Sequence, residues 1–414
     1  VVDAAMPRGR YEECGNCVRF DVYSLFGGSS LNQPALAASF VYSFWFASPF
    51  FFGLNTMKHG TARLVLVLGL VLLAVVDAAM PRFVDVSRAK GLLPLNEVSD
   101  WRLYANKYQG MTVADLDGDG FYELYCPNHG NNAELYWSNG ARGFTYVDPR
   151  VYKQDTHGSV ALDLNGDKHL DIIHTRGGQR GSSPTLPTVI ETFGKGKMKQ
   201  TQGQAFFVDL EPMRGRSIAS FDFNGNGLDD VLFVNQFIPG RNKAHLLYKR
   251  RPDGKLKKVS NTGMEGVAGL WFDVADLNND GRLDLVFLKY TGVEVWKNMG
   301  NYKFKPSTIL PRQETIKNVR AMVQFDYDND GDLDLYFVRG SPGRSIPNTF
   351  YENVNGKYVD RTRAVGLVLG GYNVHVTAGD FNNDGCVDLY VTVRTDLKGR
   401  QDDKLMLNNC DKTF

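Results

Sequence analysis

The chain reads as all-β, a β-propeller of four-stranded blades, on three observations. A short acidic loop recurs six times, at Asp115, Asp163, Asp222, Asp276, Asp326 and Asp380. The copies lie roughly fifty residues apart, which is the period of a propeller blade. Each sits between two short runs of β-branched, aromatic and aliphatic residues that read as strands.

The loop is clearest at Asp326-Tyr-Asp-Asn-Asp-Gly-Asp-Leu-Asp334. Carboxylates at positions 1, 3, 5 and 9 surround a hard cation with oxygens, and Gly331 at position 6 allows the sharp bend. An EF-hand would carry a glutamate at position 12 and continue as a helix. Position 12 here is Phe337, inside a strand-like run, so the loop joins two strands.

Strands are expected before each loop, at Thr112-Val-Ala, Val160-Ala-Leu, Ile218-Ala-Ser-Phe, Phe272-Asp-Val-Ala, Met322-Val-Gln-Phe and Val374-His-Val-Thr. A second follows each loop, as in Asp230-Val-Leu-Phe-Val and Asp334-Leu-Tyr-Phe-Val. A third is visible in five units, at Glu134-Leu-Tyr-Trp, His245-Leu-Leu-Tyr, Val293-Glu-Val-Trp, Thr349-Phe-Tyr-Glu and Lys404-Leu-Met-Leu. An Asn/Gly turn then leads to a fourth strand bearing an aromatic, as at Phe144-Thr-Tyr-Val or Tyr358-Val-Asp. A parallel β-helix with calcium turns has a far shorter period, which the spacing excludes.

Phe83-Val-Asp-Val-Ser-Arg-Ala-Lys-Gly-Leu92 matches Tyr358-Val-Asp-Arg-Thr-Arg-Ala-Val-Gly-Leu367, so residues 83–414 open on a lone fourth strand. Two closures remain open: six blades closing on Phe83–Ser87, or a truncated ring missing a seventh.

Upstream, Met57-Lys-His-Gly-Thr-Ala-Arg63 and the apolar Leu64–Val76 precede small residues near Ala79, the pattern of a secretory signal peptide over residues 57–79. Val1–Arg8 repeats Val75–Arg82 letter for letter, and residues 1–56 read as a gene-model artefact. With 414 residues and a net charge of +1, the chain is long enough for a large core and carries no nucleic-acid footprint. Cys14-Gly-Asn-Cys17 is a lone C-x-x-C without the second pair of a zinc site.

The expected metal ligands are the side chains at positions 1, 3, 5 and 9 of each loop. In chain order these are Asp115, Asp117, Asp119 and Glu123; Asp163, Asn165, Asp167 and Asp171; Asp222, Asn224, Asn226 and Asp230. The later loops offer Asp276, Asn278, Asp280 and Asp284; Asp326, Asp328, Asp330 and Asp334; Asp380, Asn382, Asp384 and Asp388. Position 7 adds a backbone carbonyl, from Phe121, His169, Leu228, Arg282, Asp332 and Cys386. The expected ion is Ca2+, up to six, in a structural role, because a cation relieves the repulsion among crowded carboxylates. No G-x-S-x-G, H-E-x-x-H or phosphate loop accompanies the sites, so no enzyme is expected.

A disulfide is expected between Cys386 and Cys410, which lie near-opposite in a hairpin centred near Lys398-Gly399, with Cys126 left over and buried. Trp137, Trp271 and Trp296 are expected to pack between blades. Lys195–Lys199 and Lys249–Arg251 are expected to be solvated turn charges.

The signature D-x-[DN]-x-[DN]-G-x-x-[DE], met in full by five loops, resembles the FG-GAP (VCBS-type) repeats of integrin α-subunit heads and of the cartilage acidic protein family. The second loop departs, with Lys168 in the glycine slot. The resemblance covers residues 83–414; its seven-bladed relatives favour truncation, and no laminin-like or EGF-like segment supports an integrin. It implies a secreted, extracellular binding or adhesion module, with an extracellular protein or glycan as partner. The alternatives are a glycan-binding, lectin-like propeller and, third, a polysaccharide-acting enzyme.

Overall fold

A computed structural model of the chain describes residues 89–92, 110–128, 132–152, 154–177, 184–236, 245–267, 269, 271–289, 291–312, 315–341, 344–393 and 402–414. The segments read as artefact, signal peptide and lone fourth strand, Phe83–Ser87, lie outside the described residues, so the question of closure stays with the sequence.

Six antiparallel sheets follow one another as propeller blades. The first holds β1 (Thr112–Ala114), β2 (Glu123–Cys126), β3 (Glu134–Ser138) and β4 (Phe144–Val147). The second holds β5 (Thr156–Leu162), β6 (Asp171–Arg176), β7 (Thr188–Thr192) and β8 (Met198–Gln202). In the third, β10 (Gly215–Phe221), β11 (Asp230–Asn235), β12 (His245–Arg250) and β13 (Leu256–Lys258) gain a parallel edge strand, β9 (Phe207–Val208). The fourth comprises β14 (Trp271–Ala275), β15 (Asp284–Leu288), β16 (Val293–Asn298) and β17 (Phe304–Ser307). The fifth comprises β18 (Val319–Phe325), β19 (Asp334–Arg339), β20 (Thr349–Val354) and β21 (Lys357–Asp360). The sixth shows three described strands, β22 (Asn373–Gly379), β23 (Asp388–Val393) and β24 (Lys404–Met406).

The second strand of blades two to five is buried on both faces, which is why it reads as an unbroken apolar run. Along β11, Val231 and Phe233 pack with Ile173 and Val189 of blade two, while Leu232 and Val234 pack with Leu285 and Phe287 of blade four. The same alternation joins blades one and two, four and five, and five and six. Burying each such side chain is worth about 1.5–3 kcal/mol, so the interfaces between blades carry the fold. Trp137 lies within the layer between blades one and two, and Trp271 and Trp296 pack at the margins of layers on either side of blade four.

Blades are also handed on by main chain. The Phe144, Phe304 and Phe414 amides donate to Lys90 O, Thr262 O and Val365 O at 2.7, 2.8 and 2.9 Å. Beside each acceptor stands Gly91, Gly263 or Gly366 at φ +80°, +95° and +85°, where a β-carbon would lie 2.2, 2.4 or 2.8 Å from the phenylalanine carbonyl oxygen. The sequence match between Gly91 and Gly366 is therefore a match of function within the fold.

Three details differ from the sequence reading. Blade two has its third strand, β7, which lacks the aromatic carried by the third strands of blades one, three, four and five. The edge strand β9 had no counterpart in the repeat. And Arg250 is not a solvated turn charge: its guanidinium donates to Asp163 O in the second loop.

Candidate metal centres

One register places all six loops. The residue before position 1 pairs with the acid at position 9, as Ala114↔Glu123, Leu162↔Asp171, Phe221↔Asp230, Ala275↔Asp284, Phe325↔Asp334 and Gly379↔Asp388. The intervening residues must turn tightly, and amides folded around the position-1 carboxylate make that turn. Asp115 Oδ1 accepts from the Gly118 and Asp119 amides at 2.8 and 3.0 Å, and Oδ2 from Gly120 at 2.9 Å. Asp222 repeats this with Gly225, Asn226 and Gly227. Asp163 holds Gly166 and Lys168, while Asp276, Asp326 and Asp380 each hold the amides at positions 5 and 6. In all six loops the position-5 oxygen accepts from the position-7 amide, at Phe121, His169, Leu228, Arg282, Asp332 and Cys386. The loop backbone thus orients the side chains at 1 and 5, and carboxylate oxygens keep further lone pairs for a cation.

Lys168 adopts φ +72°, in the same left-handed region as Gly120 at +89° and Gly331 at +90°. The second loop therefore keeps its course despite the lysine, at a cost of about 1–2 kcal/mol. Position 4 is left-handed as well, filled by glycine in the first three loops and by Asn279, Asn329 and Asn383 in the last three. That Gly/Asn slot was legible in the sequence and went unread.

The acid at position 9 is the buried one. Glu123 accepts from the Leu116 and Ser138 amides at 2.8 and 3.2 Å. Asp171, Asp230, Asp334 and Asp388 likewise each bracket the position-2 amide and an amide on or beside the third strand. Asp284 takes the Asn298 amide and the Asn278 side-chain amide, both at 2.7 Å. Burial pushes these carboxyls up, Glu123, Asp171 and Asp334 to about 7 and Asp230 to about 6. Asp284 and Asp388 are raised for the same reason.

Two loops bring three carboxylates together. One oxygen each from Asp115, Asp117 and Glu123, and one each from Asp326, Asp328 and Asp334, lie within 4.8 Å of one another. These are the loops with aspartate at position 3, where the other four have asparagine. Such a donor set fits a hard divalent cation, which would cancel the mutual repulsion.

Their surroundings differ. Among the described residues no cationic side chain bonds Asp115, Asp117 or Asp119, and Asp117 Oδ2 receives only the Lys195 amide from blade two, at 3.2 Å. In the fifth loop Lys412 Nζ, from blade six, sits 2.7 Å from Asp328 Oδ2. In the fourth, Arg282 and Lys297 both lie on Asp280. Tyr302 bridges the third, accepting from Asn224 Nδ2 at 2.6 Å and donating to Asp230 Oδ1 at 3.2 Å.

The sixth loop is closed covalently. Cys386 and Cys410 form a disulfide with α-carbons 5.7 Å apart. The β23–β24 register, Leu389↔Met406 to Val391↔Lys404, extended by three residues puts Cys386 opposite Asn409, one residue from Cys410. Cys410 at φ +58° stands where Gly140, Gly194 and Gly300 stand in other blades, at +63°, +72° and +78°. Position 7 faces that turn elsewhere too: the Phe121 ring lies 3.0 Å from where a Gly140 β-carbon would be, and His169 lies 3.2 Å from that of Gly194. Cys126 is buried at the end of β2.

The FG-GAP-like repeat family matches residues 100–174, 222–287, 276–337 and 326–391. Cartilage acidic protein 1 of Xenopus tropicalis is 24% identical over 320 residues, covering 68% of this chain and 48% of that protein. The Homo sapiens protein of the same name is 20% identical over 342 residues, covering 76% and 51%. The chain thus spans about half the length of the curated relatives it matches. Among solved structures, an Agrocybe aegerita lectin that recognises non-reducing terminal N-acetylglucosamine aligns with a TM-score of 0.47 at 17% identity, over 75% of this chain and 79% of that one. A Bacillus licheniformis rhamnogalacturonan lyase aligns at 0.40 and 15% identity, over 70% and 56%.

Proposed function

The chain belongs to the FG-GAP-like repeat family, and from that premise we propose that it is a secreted, calcium-stabilised, non-enzymatic propeller serving as an extracellular binding or adhesion module. The observation that carries the calcium reading is the convergence of three carboxylate oxygens in loops one and five, within 4.8 Å. Asp115, Asp117, Asp119 and Glu123 would hold one ion, Asp326, Asp328, Asp330 and Asp334 another, and the four mixed Asp/Asn loops the rest. An ion there does no chemistry; it ties two strands of one blade together.

Secretion rests on the signal-like residues 57–79 and on the resemblance to cartilage acidic protein 1. Among the described residues no helix is long and apolar enough to cross a membrane. The partner class is an extracellular protein or glycan. Equilibrium dialysis against 45Ca2+ tests the reading: several ions bound per chain support it, and none bound at millimolar calcium ends it.

A further inference from the structure

At the end of the blades away from the acidic loops, the interface between blades two and three gathers a polar set that the repeat does not explain. Arg214 and Arg216 are 7% and 6% exposed, and both reach Gly177. Arg214 Nε donates to Gly177 O at 3.3 Å. A β-carbon on Gly177 would lie 2.6 Å from an Arg216 terminal nitrogen, 2.4 Å from Asp155 Oδ2 and 2.1 Å from His157 Nε2, so only glycine admits this meeting. Arg216 also donates to Gln236 Oε1 at 2.6 Å, and His157 Nε2 lies 2.8 Å from Asp155 Oδ1. The Asp155 side chain is 24% exposed, which brings the cluster to the surface.

Two features point to a ligand. The cluster holds two guanidinium groups to one carboxylate, which pairs with His157, and among the described residues the Arg214 guanidinium makes only the one bond from Nε, so its forked terminal nitrogens remain as donors. Beside them, Asn235 is fully buried with neither side-chain amide atom hydrogen-bonded. It pairs with Gly215 on β10, and Gly215 packs against Thr175 of blade two. The buried Thr185 Oγ1 also lacks a partner, where Thr185 bridges Met213 next to Arg214. Orphaned buried amides and hydroxyls are costly and are met by groups that both donate and accept. An excess cation calls for an anion. A sugar hydroxyl meets the first demand and a sugar carboxylate the second, whereas an acidic peptide offers the charge without a row of hydroxyls.

We propose that this end of the interface between blades two and three binds an acidic sugar, a uronate. Its carboxylate takes the Arg214 fork, and its hydroxyls take Asn235 and Thr185. The inference rests on the binding-module reading only for meeting such a ligand outside the cell, since no residue of the acidic loops takes part.

The test is calorimetric titration of the calcium-loaded full chain with cellotetraose, its C6-oxidised uronate form and a tetra-aspartate peptide. The uronate alone is expected to bind. Arg214→Gln removes a charge-assisted pair and is expected to weaken it about ten-fold or more. Asn235→Leu replaces the orphaned amide with an apolar isostere, so it is expected to fold at least as well while losing the sugar. Failure of the uronate to bind, equal binding of cellotetraose, binding of the peptide in its place, or uronate binding untouched by Asn235→Leu each overturns the proposal. Melting the same samples with and without chelator tests the calcium reading separately.

Discussion

The two ends of the blades follow different rules. At the acidic-loop end, one register, one cradle of amides and one buried acid recur in all six blades, with Lys168 bent into the glycine conformation to keep them. At the other end nothing recurs in full. The first strands of blades two, three, five and six are interrupted by register shifts at Thr156/Ser159, Gly215/Ser217, Val319/Ala321 and Asn373/His375. The residues there differ: His157, Arg216, Arg320 and Val374. Arg320 lies over the Tyr372 ring and donates to Gly340 O, whereas Arg216 meets His157 and Gln236. Repetition marks what every blade needs in order to stand. Departure from it marks what one interface does alone.

Removing calcium strikes the repeated end and is expected to have the largest effect. A cation held at about a hundred-fold over its dissociation constant stabilises by about 2.7 kcal/mol per site. Chelation is therefore expected to lower the melting temperature by about 10 °C or more, seen by calorimetry. Arg214→Gln is expected to leave that difference intact. A chelator effect that vanished in this variant would show the two ends to be coupled and break the comparison.

Next comes the disulfide. Closing the segment between Cys386 and Cys410, a separation of 24 residues, is worth about 3 kcal/mol in the chain-entropy account. Reduction, or Cys410→Ser, is expected to cost about that much and to weaken calcium in the sixth loop alone. Terbium luminescence with the other loops' position-1 aspartates changed to alanine reads this out. Equal affinity in reduced and oxidised protein would confine the bond's role to the hairpin.

Acidity separates the ends more gently. In chelated protein, Glu123, Asp171 and Asp334 titrate near 7 and Asp230 near 6, above their values in the unfolded chain. A raised carboxyl favours the protonated native state. Its contribution is full below the unfolded pKa and is lost as pH climbs through the folded one. Metal-free protein is thus expected to lose stability from about pH 5 to pH 8, by denaturant titration, and calcium is expected to flatten that slope. A flat profile without calcium would count against buried position-9 acids.

The smallest effect distinguishes loops one and five, which have the same side-chain ligands apart from Glu123 in place of an aspartate. Lys412 already answers Asp328, a competitor absent from the first loop. Lys412→Ala is expected to raise calcium affinity in loop five by a few-fold, bringing it nearer loop one. No change by terbium titration would mean that the lysine simply swings away.

The sequence made the loop end legible because its chemistry is local. Aspartates at fixed offsets, a glycine at the bend and a strand to follow all fall within one short stretch, and Cys386 and Cys410 could be placed by hairpin symmetry alone. Even there the left-handed fourth position was missed, though Gly118, Gly166, Gly225 and three asparagines spell it out. The other end was not legible. Arg214, Arg216, His157, Gly177 and Asn235 come from two blades, with no spacing to join them, and an isolated arginine in a strand looks like any surface charge. Strand β7 escaped for a milder reason, as Thr188-Val-Ile-Glu-Thr192 lacks the aromatic that four of its five counterparts carry.

The position of Cys410 has one more implication. Where other blades rest a position-7 side chain against a left-handed glycine, blade six has replaced touch with a bond. Gly140 and Gly300 already share the left-handed φ of Cys410, with Phe121 and Arg282 in the places of Cys386. The fold therefore carries a transferable fastening point. Paired cysteines at Phe121 and Gly140, or at Arg282 and Gly300, are drop-in sites for engineering a propeller whose blades are each laced shut from within.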